Sequence, residues 1–109
     1  MLQKELVLEL VNGLLAIFEG MISQIVLYGS VARQQDTIES DVDIAIILSR
    51  SIDEELKDEF ISWVADMDLK YNKIFSIIDI EEDKMEKWGD ILPFYKNIRK
   101  EGIVLWKAA

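Results

Sequence analysis

The sequence predicts a small α/β (α+β) fold, a mixed sheet of three to four strands with helices packed on it. Three observations carry this. Leu2 to Glu19 and the stretch after Ser51 place apolar residues at helical spacing. Val42 to Leu48 is almost continuously apolar, as a central strand buried on both faces would be. Turn residues separate these segments from their neighbours. With 109 residues, half of them apolar, the chain has material for one packed core and no room for two, so 1–109 is read as a single domain.

Leu6, Leu10, Leu14 and Ile17 recur at helical spacing, and Val7, Val11 and Phe18 widen their stripe. That is a first, broadly buried helix, facing the sheet or another chain, and Gly20 ends it. Ile22 to Tyr28 is a short run rich in Ile and Val that enters Gly29-Ser30, as a strand feeding a turn does. Gln34 to Ser40 is polar and reads as a loop before the central strand. Ser51-Ile52-Asp53-Glu54 has the pattern of a capping box. It opens a helix whose apolar face is Leu56, Phe60, Trp63, Val64 and Met67, with Glu55, Asp58 and Glu59 toward water and Asn72 near the end. Lys73 to Ile80 is a third strand. Asp90 to Glu101 is a last helix, with Pro93 in its first turn and Gly102 just beyond it. Ile103 to Trp106 closes the chain as an edge strand. The expected order is helix, strand, strand, helix, strand, helix, strand.

Composition removes several functions. Without Cys there is no disulfide or thiolate metal site, and without His the usual neutral-pH base and commonest zinc ligand are missing. Any metal must sit on oxygen. The formal charge of −9 opposes non-specific binding to a phosphate backbone, so no direct nucleic-acid binding is expected and a basic partner suits the chain better. The apolar runs are far shorter than the roughly 20 residues that span a bilayer, and a soluble cytoplasmic protein is expected.

Asp41 and Asp43 carry the chemistry. Residues two apart on a strand point to the same side, so both carboxylates share one face while Val42 and Ile44 take the other. Two like charges held together repel, and a divalent cation relieves the conflict; carboxylates and phosphates are the hard oxygen ligands that Mg²⁺ prefers. Asp79 interrupts the apolar run Phe75 to Ile80 on the next strand, where it is expected beside Asp43 as a third ligand and general base, with Glu81 as the fallback. Three acids can hold two Mg²⁺ ions for displacement at phosphorus. Gly29 lets the backbone approach a phosphate, Ser30 adds a hydroxyl donor, and the residues after them can start a short helix. Arg33 offers a planar fork to a phosphate or an ion-pair partner for Asp36 or Glu39. Trp63, Trp88, Phe94, Tyr95 and Trp106 are read as core or interface, and Lys96, Arg99 and Lys100 as a solvated cluster.

The pattern Gly29-Ser30-x-Ala32-Arg33 followed by Ser40-Asp41-x-Asp43 resembles the signature of the polymerase-beta-like minimal nucleotidyltransferases. The tail from Pro93 through Gly102 to Ile103 is similar to the end of these small proteins. The resemblance implies that Gly29 and Ser30 bind the triphosphate, that Asp41, Asp43 and Asp79 are catalytic and hold Mg²⁺, and that ATP is the substrate; Arg33 and Ser40 beside them are the further nucleotide-binding candidates. Members usually have Gly after the Arg, and this chain has Gln34. The stand-alone members it most resembles are the antitoxin halves of HEPN–MNT toxin–antitoxin pairs, which implies transfer of AMP from ATP to a tyrosine hydroxyl of a HEPN ribonuclease toxin. A homodimer fits as well. Two other readings stay open: an antitoxin that neutralises by binding alone, and an enzyme acting on a small hydroxylated molecule.

Overall fold

The computed structural model describes residues 2–33 and 41–109. Its elements run α1 (Lys4–Ile17), β1 (Ile22–Tyr28), α2 (Gly29–Ala32), β2 (Val42–Leu48), α3 (Glu54–Tyr71), β3 (Phe75–Glu81), α4 (Glu82–Trp88), α5 (Pro93–Glu101) and β4 (Ile103–Lys107). The strands form one mixed sheet in the order β3-β2-β1-β4, so the apolar run of β2 is central, as expected. β1 is antiparallel to both β2 and β4, whereas β2 and β3 are parallel. A parallel pair needs a long crossover, and α3 supplies it.

α1 and α3 cover one face. Leu6, Leu10, Leu14 and Phe18 pack there with Ile25, Leu27, Ile44, Ile46, Phe60 and Met67, all buried. The first helix thus spends its apolar stripe on its own sheet. Glu9 ties the two helices together at the rim, accepting hydrogen bonds from Lys70 at 2.7 Å and from the Tyr71 hydroxyl at 2.6 Å. The opposite face has a smaller core, Val26, Ala45, Ile47, Ile80 and Ile98, with Tyr28, Ile78, Met85 and Tyr95 at its margin. Alternation on β1 and β2 deals residues to the two faces, and a bulge between Ile22 and Gln24 resets it so that both Ile22 and Ile25 reach the larger core.

Three details differ from the sequence reading. The N-cap of α3 is Asp53, whose carboxylate accepts from the Leu56 amide at 2.8 Å, while the Ser51 hydroxyl donates to Glu81 instead. The helix therefore opens two residues later than expected, with a single side-chain cap in place of a capping box. Asn72 does end that helix, in the left-handed conformation at φ 51° that Asn tolerates. The acidic segment Glu82–Trp88 forms α4, an extra helix. Glu82 and Asp83 suit its first turn electrostatically, but it buries no residue and so showed no apolar periodicity. The last helix starts at Pro93 rather than Asp90, because Pro fixes φ for a first helical position.

Candidate active site

The C-terminal end of β1 and the N-terminal end of β2 meet where the chain turns from Tyr28 into Gly29. Tyr28 is the ladder partner of Asp43, and because partners in an antiparallel pair share a face, both side chains lie on the α4/α5 side. Gly29 follows at φ 76°, a conformation that costs any other L-residue, and a Cβ there would collide with Oδ2 of Asp43. The absence of a side chain at Gly29 therefore lets the backbone lie directly against the Asp43 carboxylate. Ser30 is the second residue of α2, a single turn that Arg33 ends. Gly29, Ser30 and Asp43 are thereby drawn to one place.

Asp41 stands just before β2 and is exposed, while Asp43 is half-buried. Burial pushes the Asp43 carboxyl above the usual carboxylate range, the charge of Asp41 pushes it further, and Arg33 opposes the rise. Tyr28 is raised too, first by burial and then by the charge of Asp43. Arg33 Nη1 lies 3.5 Å from Glu101 on α5. The partners expected for it in the sequence, Asp36 and Glu39, lie outside the described residues, as do Ser40 and Gln34.

The expectation that Asp79 stands beside Asp43 is not met. In the parallel ladder Asp43 pairs with Ser76, whereas Asp79 pairs with Ile46, three positions further along and on the α1/α3 side. Glu81, the fallback acid, pairs with Leu48 at the far end. The Ser76 hydroxyl instead approaches Asp41, 3.5 Å from its Oδ2. Ser76 and Tyr28 are the two neighbours of the carboxylate pair that the sequence reading passed over. Their face follows from alternation once the register is known, but no feature of the sequence fixes how β3 slides against β2. Among the described residues no three acidic side chains are grouped as a metal site.

The aromatic and basic residues behave structurally. Trp63 and Trp106 pack against the larger core and Tyr95 against the smaller one. Phe94 is half exposed and sets its ring edge-on to Tyr28, 6.0 Å between centroids. Arg99 is bonded to Asp90 and to the Met85 carbonyl, pinning α5 to α4.

The stretch that carries this glycine turn, the carboxylates and the sheet around them matches a known family model. Residues 13–108 fit the polymerase beta nucleotidyltransferase domain. The chain belongs to that family. It is 33% identical over 107 residues to a Methanocaldococcus jannaschii protein that carries the assignment of a protein adenylyltransferase, a match covering 95% of this chain and 98% of that one. Among solved structures, this nucleotidyltransferase resembles a chain of a toxin–antitoxin crystal structure with AMP-PNP, with a TM-score of 0.60, 16% identity and coverage of 90% and 71%. It also resembles a chain in the complex of tri-AMPylated Shewanella oneidensis HEPN toxin with MNT antitoxin, with a TM-score of 0.55, 15% identity and coverage of 97% and 74%. At such identities the structural likeness speaks for the fold.

Proposed function

We propose that this nucleotidyltransferase is an antitoxin that transfers AMP from ATP to a tyrosine hydroxyl of a HEPN-type ribonuclease partner and so neutralises it. The observation that carries the reading is the contact between the Gly29 backbone and the Asp43 carboxylate, which joins the phosphate-binding half of the family motif to its acidic half. The relative assigned as a protein adenylyltransferase and the toxin–antitoxin structures with this fold support the acceptor class. The acidic charge of −9 supports a partner basic enough to handle RNA.

The donor set fits a divalent cation. Asp41 and Asp43 offer hard oxygens, and their mutual repulsion is the conflict a cation resolves. When bound, Mg²⁺ neutralises phosphate charge and makes the acceptor hydroxyl more acidic. The protein's own part is positional. Gly29 and Ser30 hold the triphosphate end against the carboxylates, leaving the α-phosphorus open to an incoming oxygen. As the acceptor oxygen bonds to phosphorus, the bond to the bridging oxygen breaks, pyrophosphate leaves, and the acceptor proton passes to a carboxylate at this end of the sheet.

A second reading rests on Ser76. With a hydroxyl in the place opposite Asp43, the site has less charge for catalysis, and a protein that binds nucleotide and masks its partner would need no more. Incubating the protein with the partner, Mg²⁺ and ATP labelled at the α-phosphate separates the two. AMP-sized mass steps on the partner, absent with Asp41→Asn/Asp43→Asn, are expected; an unmodified but tightly bound and inhibited partner would overturn the enzymatic reading in favour of masking.

A further inference from the structure

Ser76 occupies a position whose chemistry the sequence had given to an acid. It faces Asp43 across the β2–β3 ladder, shares its side of the sheet, and places its hydroxyl at the outer limit of hydrogen-bond reach from Asp41, 3.5 Å from Oδ2. The ladder is anchored at this end, because the Val42 amide donates to the Ile74 carbonyl at 2.8 Å and fixes the register that sets Ser76 opposite the pair. Asp79 is three residues further along β3, about 10 Å at the rise of a strand, and on the other face. No side-chain rotation brings it through the sheet.

We infer that Ser76 is the third side chain of the carboxylate site, a positioning residue that orients Asp41 for a divalent cation, and that Asp79 stands outside the site. The inference rests on the reading of Asp41 and Asp43 as cation ligands. A serine does two things there that an acid would not. Its hydroxyl is placed to donate to Asp41, restricting the rotation of an otherwise exposed carboxylate, and it adds no third negative charge beside Asp43, which already feels the charge of Asp41. The consequence is a cation site that depends on Ser76 for geometry and gains strongly from a carboxylate placed at that position.

Mn²⁺ binding, followed by electron paramagnetic resonance of the free ion in the absence of ATP and partner, tests this without reference to turnover. Ser76→Ala is expected to weaken Mn²⁺ binding about two- to tenfold, the range of one lost hydrogen bond, and Ser76→Thr to restore it. Ser76→Asp is expected to tighten binding at least about tenfold, as a third carboxylate ligand adds its charge. Asp79→Asn is expected to leave Mn²⁺ binding at the wild-type value. Wild-type binding by Ser76→Ala and no gain from Ser76→Asp, or weakened binding by Asp79→Asn, would overturn the assignment. Failure of the underlying reading looks different: Asp41→Asn/Asp43→Asn would then bind Mn²⁺ as wild type does. Circular dichroism melts on each variant show that the fold is kept, which this half-buried edge-strand position favours.

Discussion

The two faces of the sheet are built from the same strands and do opposite work. On the α1/α3 side the strand residues from Ile22 to Phe75 that pack inward are apolar, and helices of 14 and 18 residues cover them. On the α4/α5 side the helices are 7 and 9 residues long, the core is smaller, and toward one end its row gives way to Tyr28, Asp43 and Ser76. Alternation makes this division possible, since each strand turns one set of residues to the larger core and the other to the smaller core and the carboxylate end. The face that carries the Asp41/Asp43 end is the face with less apolar cover.

Substitutions on the two faces are therefore expected to have different consequences. The largest expected effect is that of Asp43→Asn on AMP transfer, a fall on the order of 1,000-fold, since several kcal/mol of charge stabilisation is at stake. Its effect on stability has the opposite sign. The folded protein raises the Asp43 carboxyl above its unfolded value, so the penalty on folding is full above the raised value, declines as pH falls from there, and is gone below the unfolded value. In chelator at neutral pH, Asp43→Asn is expected to unfold at a urea midpoint equal to or above that of wild type; a lower midpoint would mean that the carboxylate supports the fold.

Leu10→Ala supplies the converse. Leu10 is fully buried against the sheet on the α1/α3 side, and its truncation is expected to cost about 2–5 kcal/mol in urea unfolding while leaving Mn²⁺ affinity unchanged. Gly29→Ala joins the two kinds of effect at one residue. The positive φ and the collision with Asp43 are expected to cost about 1–3 kcal/mol of stability and to weaken Mn²⁺ binding as Asp43 is displaced. A variant that melted lower but bound Mn²⁺ normally would separate the turn from the carboxylate.

Much of this division was legible in the sequence. The apolar periodicity of α1 and α3 and the continuous apolar run of β2 each state their place locally, the sheet with its covering helices follows from them, and the Gly29-Ser30 to Asp41-x-Asp43 pattern marks two segments that the fold brings together. What escaped depends on relations between segments. The place of Asp79 required the β2–β3 register, which a parallel strand separated by an 18-residue crossover helix does not announce. α4 escaped because a helix that buries no residue has no apolar stripe to read. Ser51 misled because two capping residues stood two positions apart, and Asp53, the one nearer the helix, took the amide.

The smallest expected effect lies at the rim of the stable face. Lys70 and Tyr71 hold the Glu9 carboxyl below its ordinary value, so its contribution is present above the unfolded value near 4.5 and is lost as pH falls through the lowered folded one. Glu9→Gln is expected to flatten the acid limb of the stability profile slightly and to change nothing in Mn²⁺ binding.

On the proposed function, the Gly29-Ser30 turn and the Asp41/Asp43 pair form one site for a metal nucleotide. Calorimetric titration of a non-hydrolysable ATP analogue, with Mg²⁺ and with chelator, tests it on the isolated protein. Binding is expected to require Mg²⁺ and to be lost in Asp41→Asn/Asp43→Asn; equal affinity with and without Mg²⁺, unchanged by the double substitution, would mean that the turn and the carboxylates do not form a metal-nucleotide site.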